Sequence, residues 1–207
     1  MRLRKRPGAM EVLRERPGIV PQKPEQLRGQ WTEDKPLHVE LGTGKGRFLA
    51  RMAEKYPSTS FVGMEKMESV LSYAVEGMEQ QDNVRLVHGN VSDLQDYFAS
   101  GEIDRIYLNF TDPWPKNRHE KRRLTFPTFL RLYKEVLSPR GDIHLKTDNE
   151  DFFTYSVEQF SRNGYHLNNL TLNLHAHEPE DNVRTEYEQK FADRAQRIFR
   201  VEAYLPE

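Results

Sequence analysis

The chain has 207 residues, no cysteine, 30% charged residues and a formal net charge of -1, which suits one soluble domain with a single substantial core. Lack of cysteine excludes disulfides, thiolate catalysis and cysteine zinc sites. No run approaches the roughly 18 apolar residues of a membrane span, and the basic start Met1-Arg2-Leu3-Arg4-Lys5-Arg6 has no apolar segment behind it, so no secretory signal is expected and the cytoplasm is the expected location.

The small net charge hides a segregation. Residues 1–30 carry eight basic and three acidic side chains, residues 116–123 carry five basic and one acidic, and the remainder is acidic. Two basic segments on an acidic body are consistent with binding a polyanion such as RNA, and equally with a solvated tail and loop.

In residues 1–30, arginine mixes with Pro7, Pro17, Pro21 and Pro24 without a sustained period. The expectation is an extended or partly disordered basic arm, followed by a single domain over 31–207. Leu37 to Leu41 reads as a first strand that opens into Gly42-Thr43-Gly44-Lys45-Gly46. Glycine lets a chain turn sharply and bring its backbone against a small molecule. A P-loop would have glycine at 39 and Ser or Thr at 46, where Val39 and Gly46 stand, and the second gap of a dinucleotide fingerprint is one residue too short here.

Phe48, Leu49, Met52 and Ala53 fall on one side of a helix, and Phe61, Val62 and Met64 form a second strand ending at Glu65. Glu65 lies about 20 residues beyond the glycines, where nucleotide-binding α/β units place an acid on ribose hydroxyls. With Glu40 and Asp112 the pocket is anionic. That disfavours a pyrophosphate and favours S-adenosylmethionine, a sulfonium with an α-ammonium. A carboxylate about 4 Å from such a cation gains roughly 4 kcal/mol before desolvation, at an effective dielectric near 20.

Val70, Leu71, Ala74 and Met78 mark a helix, Val84 to Val87 a third strand, and Asn90 after it is placed either to meet an adenine edge or to make a turn. Ile103 to Phe110 is the most apolar strand, as a central parallel strand should be. Phe126, Phe129, Leu130, Tyr133, Val136 and Leu137 make a helical core stripe that Ser138-Pro139-Arg140-Gly141 stops. Asp142 to Leu145 is a fifth strand, and Phe152, Phe153, Val157 and Phe160 a further helix. Leu170, Leu172 and Leu174 alternate as a sixth strand, and Ile198, Arg200, Glu202 and Tyr204 as a seventh. The alternation predicts an α/β fold, a mostly parallel seven-stranded sheet with helices on both faces. His175 and His177 read as loop residues, and no metal is expected.

The sharpest local signal is Asn109-Phe110-Thr111-Asp112-Pro113-Trp114-Pro115-Lys116. Two prolines fix φ and remove donors, giving a stiff loop that holds an acid and an indole at the end of a central strand. Such a loop suits a flat base held near a methyl donor, although Trp114 could also plug the core. The run Arg118, His119, Glu120, Lys121, Arg122 and Arg123 follows at once, well placed for substrate phosphates.

These motifs, with Lys146-Thr147-Asp148-Asn149 and Thr185-Glu186-Tyr187-Glu188, resemble the bacterial tRNA (guanine-N7)-methyltransferase family from about Leu37 onward. The resemblance implies a Rossmann-like class I methyltransferase fold and methyl transfer from S-adenosylmethionine to N7 of a guanine in the tRNA variable loop. The glycine turn sets Gly42 and Gly44 against the cofactor, and the resemblance implies that Glu40, Glu65, Asn90 and Asp112 contact it and that Asp112 is the active-site, catalytic carboxylate. Lys116, Asp148, Thr185, Glu186, Tyr187 and Glu188 would hold the target nucleotide, and Arg118 to Arg123 the RNA. Asn90 stands where that family usually has aspartate, Thr111 where it has serine, and Asn117 where it has lysine. The competing readings are a methyltransferase acting on an exocyclic amine, a non-catalytic RNA-binding α/β protein and, least, a nicotinamide dehydrogenase. Whether the chain is a monomer or a homodimer is left open.

Overall fold

The computed structural model describes residues 5–78, 81–192, 194 and 196–206. Seven strands form one sheet in the order β3-β2-β1-β4-β5-β7-β6. β1 (Leu37–Leu41), β2 (Ser60–Glu65), β3 (Val84–His88), β4 (Ile103–Asn109) and β5 (Leu137–Thr147) run parallel, while β7 (Phe199–Tyr204) lies antiparallel between β5 and β6 (His166–Thr171). The chain winds outward from β1 to β3 and then returns to place β4 on the other side of β1. That reversal opens a crevice at the carboxyl ends of β1 and β4.

Strand alternation divides the core. Leu37, Val39 and Leu41 of β1, Ile106 and Leu108 of β4, and Ile143 and Leu145 of β5 pack with Leu94 of α4 (Leu94–Tyr97), Leu130 and Tyr133 of α5 (Pro127–Val136) and Phe152 and Phe160 of α6 (Glu150–Arg162). On the opposite face Phe61, Leu86 and Tyr107 meet Phe48, Leu49 and Met52 of α2 (Arg47–Lys55), Leu71 and Ala74 of α3 (Glu68–Gly77) and Leu13 of α1 (Ala9–Arg14). Helices thus cover both faces, as the alternation predicts. Helix ends follow local chemistry: Pro127 opens α5, and Asn149 caps α6 by accepting from the Phe152 amide at 2.7 Å, with Glu150 and Asp151 in the first turn.

Four readings of the sequence need correction. The arm is ordered from residue 5 onward: α1 packs on α3, Arg6 forks onto Glu76 at 2.7 Å and onto Ser72, and the Ile19 carbonyl accepts from the Leu86 amide at 2.8 Å, covering the outer edge of β3. Residues 1–4 lie outside the described part. The sixth strand is His166–Thr171, not the Leu170-Leu172-Leu174 alternation; Leu170 and Leu172 are exposed and Leu174 opens a 3₁₀ turn. β5 takes in Ser138 to Gly141, where its register with β4 slips between Ile103 and Arg105. Two short helices, α4 and α7 (Glu186–Ala192), stand where none is expected. Among the described residues no helix is long and apolar enough to cross a membrane.

Candidate active site

The glycine turn closes β1 and is stitched to the end of β2. Gly42 and Thr43 amides donate to the Met64 carbonyl at 2.9 and 3.0 Å, and the Gly44 amide reaches Glu65 Oε2 at 3.3 Å. Gly42, Gly44 and Gly46 have φ of 80°, 58° and 70°, in the left-handed region that side chains disfavour. Their surroundings differ. A Cβ on Gly46 would lie 2.9 Å from Met78 Cε and 3.1 Å from Ala74 Cβ, whereas one on Gly42 or Gly44 would meet nothing within 4 Å. Gly46 therefore packs against α3, and Gly42 and Gly44 present bare backbone to open space. Gly63, which the sequence does not single out, admits the turn: its added Cβ would lie 2.5 Å from Leu49 Cδ1 and 2.9 Å from Thr43 Oγ1.

Glu40 lies beneath this turn and is 3% exposed. Thr43 Oγ1 donates to its Oε2 at 2.7 Å and Asn109 Nδ2 to its Oε1 at 2.9 Å. Burial outweighs these bonds and the pull of Lys146, so its pKa rises to about 7. Glu65 is half-buried; its Oε1 accepts from the Met67 amide at 3.0 Å, and burial raises its pKa as well. Asn90 is exposed and makes the turn: its side chain accepts from the Ser92 amide at 3.3 Å. That use leaves its amide N–H₂ free of any hydrogen bond among the described residues.

The loop after β4 is bent at two residues, Phe110 (φ 50°) and Trp114 (φ 42°). The Phe110 amide donates to the Lys146 carbonyl at 2.9 Å, which fixes the loop's start to β5. Asp112, Pro115 and Lys116 are exposed. Trp114 does not plug the core. Arg122 lies 4.9 Å from its ring centroid, and His119 meets it edge-on at 5.7 Å. Arg123 Nε and Nη2 donate to the Pro113 and Trp114 carbonyls at 3.0 and 3.2 Å, and its guanidinium lies 4.3 Å from the Tyr155 ring centroid. The basic run therefore divides: Arg122 and Arg123 brace the Asp112 loop, while Arg118 and Lys121 stand in solvent on a 3₁₀ turn over residues 117–122.

The remaining expected substrate residues also divide. Asp148 is exposed at the end of β5. Thr185 and Glu188 are buried and cap α7 reciprocally: the Glu188 amide donates to Thr185 Oγ1 at 2.9 Å and the Thr185 amide to Glu188 Oε2 at 3.3 Å. Glu186 lies 3.3 Å from Arg47 of α2, and Tyr187 is exposed. His175, read as a loop residue, has two carboxylate neighbours: its ligand atoms and those of Glu178 and Glu188 all lie within 4.8 Å of one another. Both carboxylates already face cations, Arg184 Nε on Glu178 at 2.9 Å and Lys146 on Glu188 at 3.0 Å.

Sequence reasoning missed Asn109, Thr43 and Lys146. The alternation of β4 could have flagged Asn109, the polar end of an apolar strand on the same face as Tyr107. Asn109 Oδ1 and Thr111 Oγ1 are buried with no hydrogen-bond partner among the described residues. Orphaned acceptors, a bare glycine cradle and carboxylates at the ends of β1 and β2 suit a cationic ligand with N–H and O–H donors, and S-adenosylmethionine is one.

Residues 34–201 match the family described as "Putative methyltransferase". The tRNA (guanine-N(7)-)-methyltransferase of Streptococcus mutans serotype c is 50% identical over 98% of this chain and 99% of its own length. That of Geobacillus kaustophilus is 49% identical over 100% and 98%. Among solved structures, one titled as an antibiotic related methyltransferase superposes with a TM-score of 0.64 at 16% identity, covering 87% of this chain and 92% of that one. The 16S rRNA (adenine(1408)-N(1))-methyltransferase from Catenulisporales acidiphilia does so with 0.60 at 12%, covering 89% of each. These two likenesses show the class I methyltransferase fold; the half-identical relatives, matched from end to end, show more, and the chain belongs to the tRNA (guanine-N7)-methyltransferase family.

Proposed function

We propose that this protein, working in the cytoplasm, transfers the methyl group of S-adenosylmethionine to N7 of a guanine in the variable loop of tRNA. The observation that carries the reading is the stiff Asp112 loop standing beside the glycine turn, at the sheet's reversal point, in a chain half identical to proteins of that name.

When bound, S-adenosylmethionine supplies an electrophilic sulfonium methyl, and transfer breaks its C–S bond as the C–N7 bond forms. Gly42 and Gly44 leave room for it, Glu65 offers a carboxylate acceptor at the end of β2 and Asn90 an uncommitted amide N–H₂ donor just past β3, and Glu40 contributes buried negative charge from below. Guanine N7 has an in-plane lone pair and no proton, so alignment matters more than a general base. Asp112, exposed on its braced loop, accepts from the N–H edge of the base and offsets the positive charge that develops on the ring. Lys116, exposed in the loop after β4, and Asp148, exposed just past the end of β5, hold the target nucleotide. Arg118 and Lys121 take phosphates of the tRNA.

Incubation of the protein with unmodified tRNA and labelled cofactor, followed by nucleoside mass spectrometry, tests this directly. The expected product is 7-methylguanosine. An N2- or N6-methylated base would move the protein to exocyclic-amine chemistry, and no product with intact tRNA binding would leave only an RNA-binding role.

A further inference from the structure

Lys146 stands at the carboxyl end of β5 with only 6% of its surface exposed. Its ammonium spends all three hydrogens on one segment: Glu188 Oε2 at 3.0 Å, Asn182 Oδ1 at 2.5 Å and the Val183 carbonyl at 3.1 Å. Glu188 is wholly buried and receives a further bond from Asn182 Nδ2 at 2.9 Å. Neither side chain is free to touch a substrate. Burial lowers the Lys146 pKa, and the adjacent Glu188 charge opposes that fall.

This pair sits between two parts of the site. On one side Lys146 is in register with Asn109 of β4, whose side chain holds Glu40. On the other, Glu188 caps α7 together with Thr185, and the residue between them that faces outward is Tyr187, 52% exposed. The Tyr187 ring lies 5.4 Å from Phe110, the left-handed residue that opens the Asp112 loop, and 4.9 Å from Phe191. Three rings thus form a wall beside the loop, and a face of this kind suits an unstacked purine. From outside, α2 holds the same segment: Arg51 donates to the Arg184 carbonyl at 3.1 Å and Lys55 to the Glu180 carbonyl at 3.2 Å.

We propose that Lys146 is a positioning residue: its buried ion pair with Glu188 fixes the first turn of α7 so that Tyr187 stands against the Asp112 loop as the side wall of the guanine pocket. The proposal rests on the N7-methyltransferase reading and deepens it, because it assigns Thr185 and Glu188 an indirect role in nucleotide binding. Removing one partner of a buried pair leaves the other charge uncompensated, and segment 182–188 must shift or take up a proton. The glycine turn and Glu65 are held by β2 and by the backbone of 64–67 rather than by that segment, and Lys146 bears on them only through its pull on Glu40, so cofactor binding should be spared at alkaline pH, where Glu40 is ionised without that help.

The test uses the whole protein with Lys146→Met, Lys146→Arg, Glu188→Gln and the Lys146→Met/Glu188→Gln pair, and measures cofactor binding by calorimetry and 7-methylguanosine formation on unmodified tRNA. Measured at pH 9, where Glu40 is ionised, Lys146→Met is expected to bind cofactor within about twofold of wild type while kcat/KM for tRNA falls by about tenfold or more. Lys146→Arg should recover part of the loss, and the double variant should be no worse than Lys146→Met alone, since both changes break one unit. A folded Lys146→Met with wild-type kcat/KM overturns the proposal. So does a loss of cofactor affinity in step with turnover, which marks a general support of the fold. If Lys146→Met does not fold, Glu188→Gln, which keeps the cap and removes the charge, decides by the same two readouts. A wild-type protein that yields no 7-methylguanosine overturns the proposed function and this role with it; wild-type product beside an unimpaired Lys146→Met overturns the role alone.

Discussion

Asn109 of β4 donates its side-chain N–H to Oε1 of Glu40 on the adjoining strand β1, at 2.9 Å and out of contact with solvent. The bond opposes the burial that lifts Glu40 to about 7, against an ordinary 4.5. Because the folded value is the higher one, the stability that the protonated form contributes is complete below the ordinary carboxylate range and is lost as pH rises through 7. A cation at the glycine turn has the opposite preference and favours the ionised form. Cofactor binding should therefore release a proton near neutrality and tighten from pH 5.5 to 8, by at most about tenfold per unit. Asn109→Ala removes a donor and raises Glu40 further, so its affinity deficit should be larger at pH 6.5 than at pH 9. Calorimetry in buffers of different ionisation enthalpy measures both; an affinity flat with pH would show that Glu40 does not sense the cofactor.

Gly44 and Gly46 share a left-handed backbone but should fail differently. An alanine at either position carries a backbone cost of about 1–2 kcal/mol. Gly46→Ala adds a clash with Met78 and Ala74 and should appear chiefly as a lower melting temperature. Gly44→Ala meets no protein atom and should appear chiefly as weaker cofactor binding, by about tenfold or more. Melting curves with and without cofactor separate the two.

Asp112 is exposed and makes no hydrogen bond to the described residues, so Asp112→Asn should leave melting temperature and tRNA affinity unchanged. Its kcat is expected to fall by about 10² to 10³, the usual loss when a preorganised charge is removed from a transition state. Single-turnover kinetics at saturating tRNA are the measurement, and an unaffected rate would remove Asp112 from the chemistry.

Arg123 and Lys121 are two residues apart and should report different things. Arg123→Ala loses two bonds to loop carbonyls, costs about 1–3 kcal/mol in loop order and lowers kcat, with the salt dependence of tRNA binding preserved. Arg118→Ala with Lys121→Ala should keep kcat at saturation and reduce the slope of log affinity against log salt by about 0.7 to 0.9 for each phosphate no longer neutralised. Filter binding over a salt series distinguishes them.

What the sequence disclosed was what sits close together along it. The run from Val39 to Gly46, the acid at the end of β2 and the helical stripes of α2, α5 and α6 are local patterns, and each occupies the expected place. The arm was misread because Ala9, Met10 and Leu13 make little more than one turn; what orders them is Arg6 reaching Glu76, 70 residues away. α4 is similarly short, anchored by Leu94 and by Phe98 just beyond it. β6 has a single partner and a mostly exposed, polar surface, so its pattern carries no parity to read. The division of the basic run, and of Thr185 to Glu188, into bracing and outward residues depends on partners such as Trp114 and Lys146 that no spacing rule connects. The Thr-x-x-Glu signature does by itself announce a helix start.

The insertion of β7 between β5 and β6 has a temporal consequence. During synthesis β6 leaves the ribosome with nothing to pair with, and β5 keeps an unprotected border until residues 199–204 follow. A nascent chain halted before Phe199 would hold the glycine turn and the Asp112 loop on a sheet that is still open, and a chaperone that shields naked strands would find its longest engagement there.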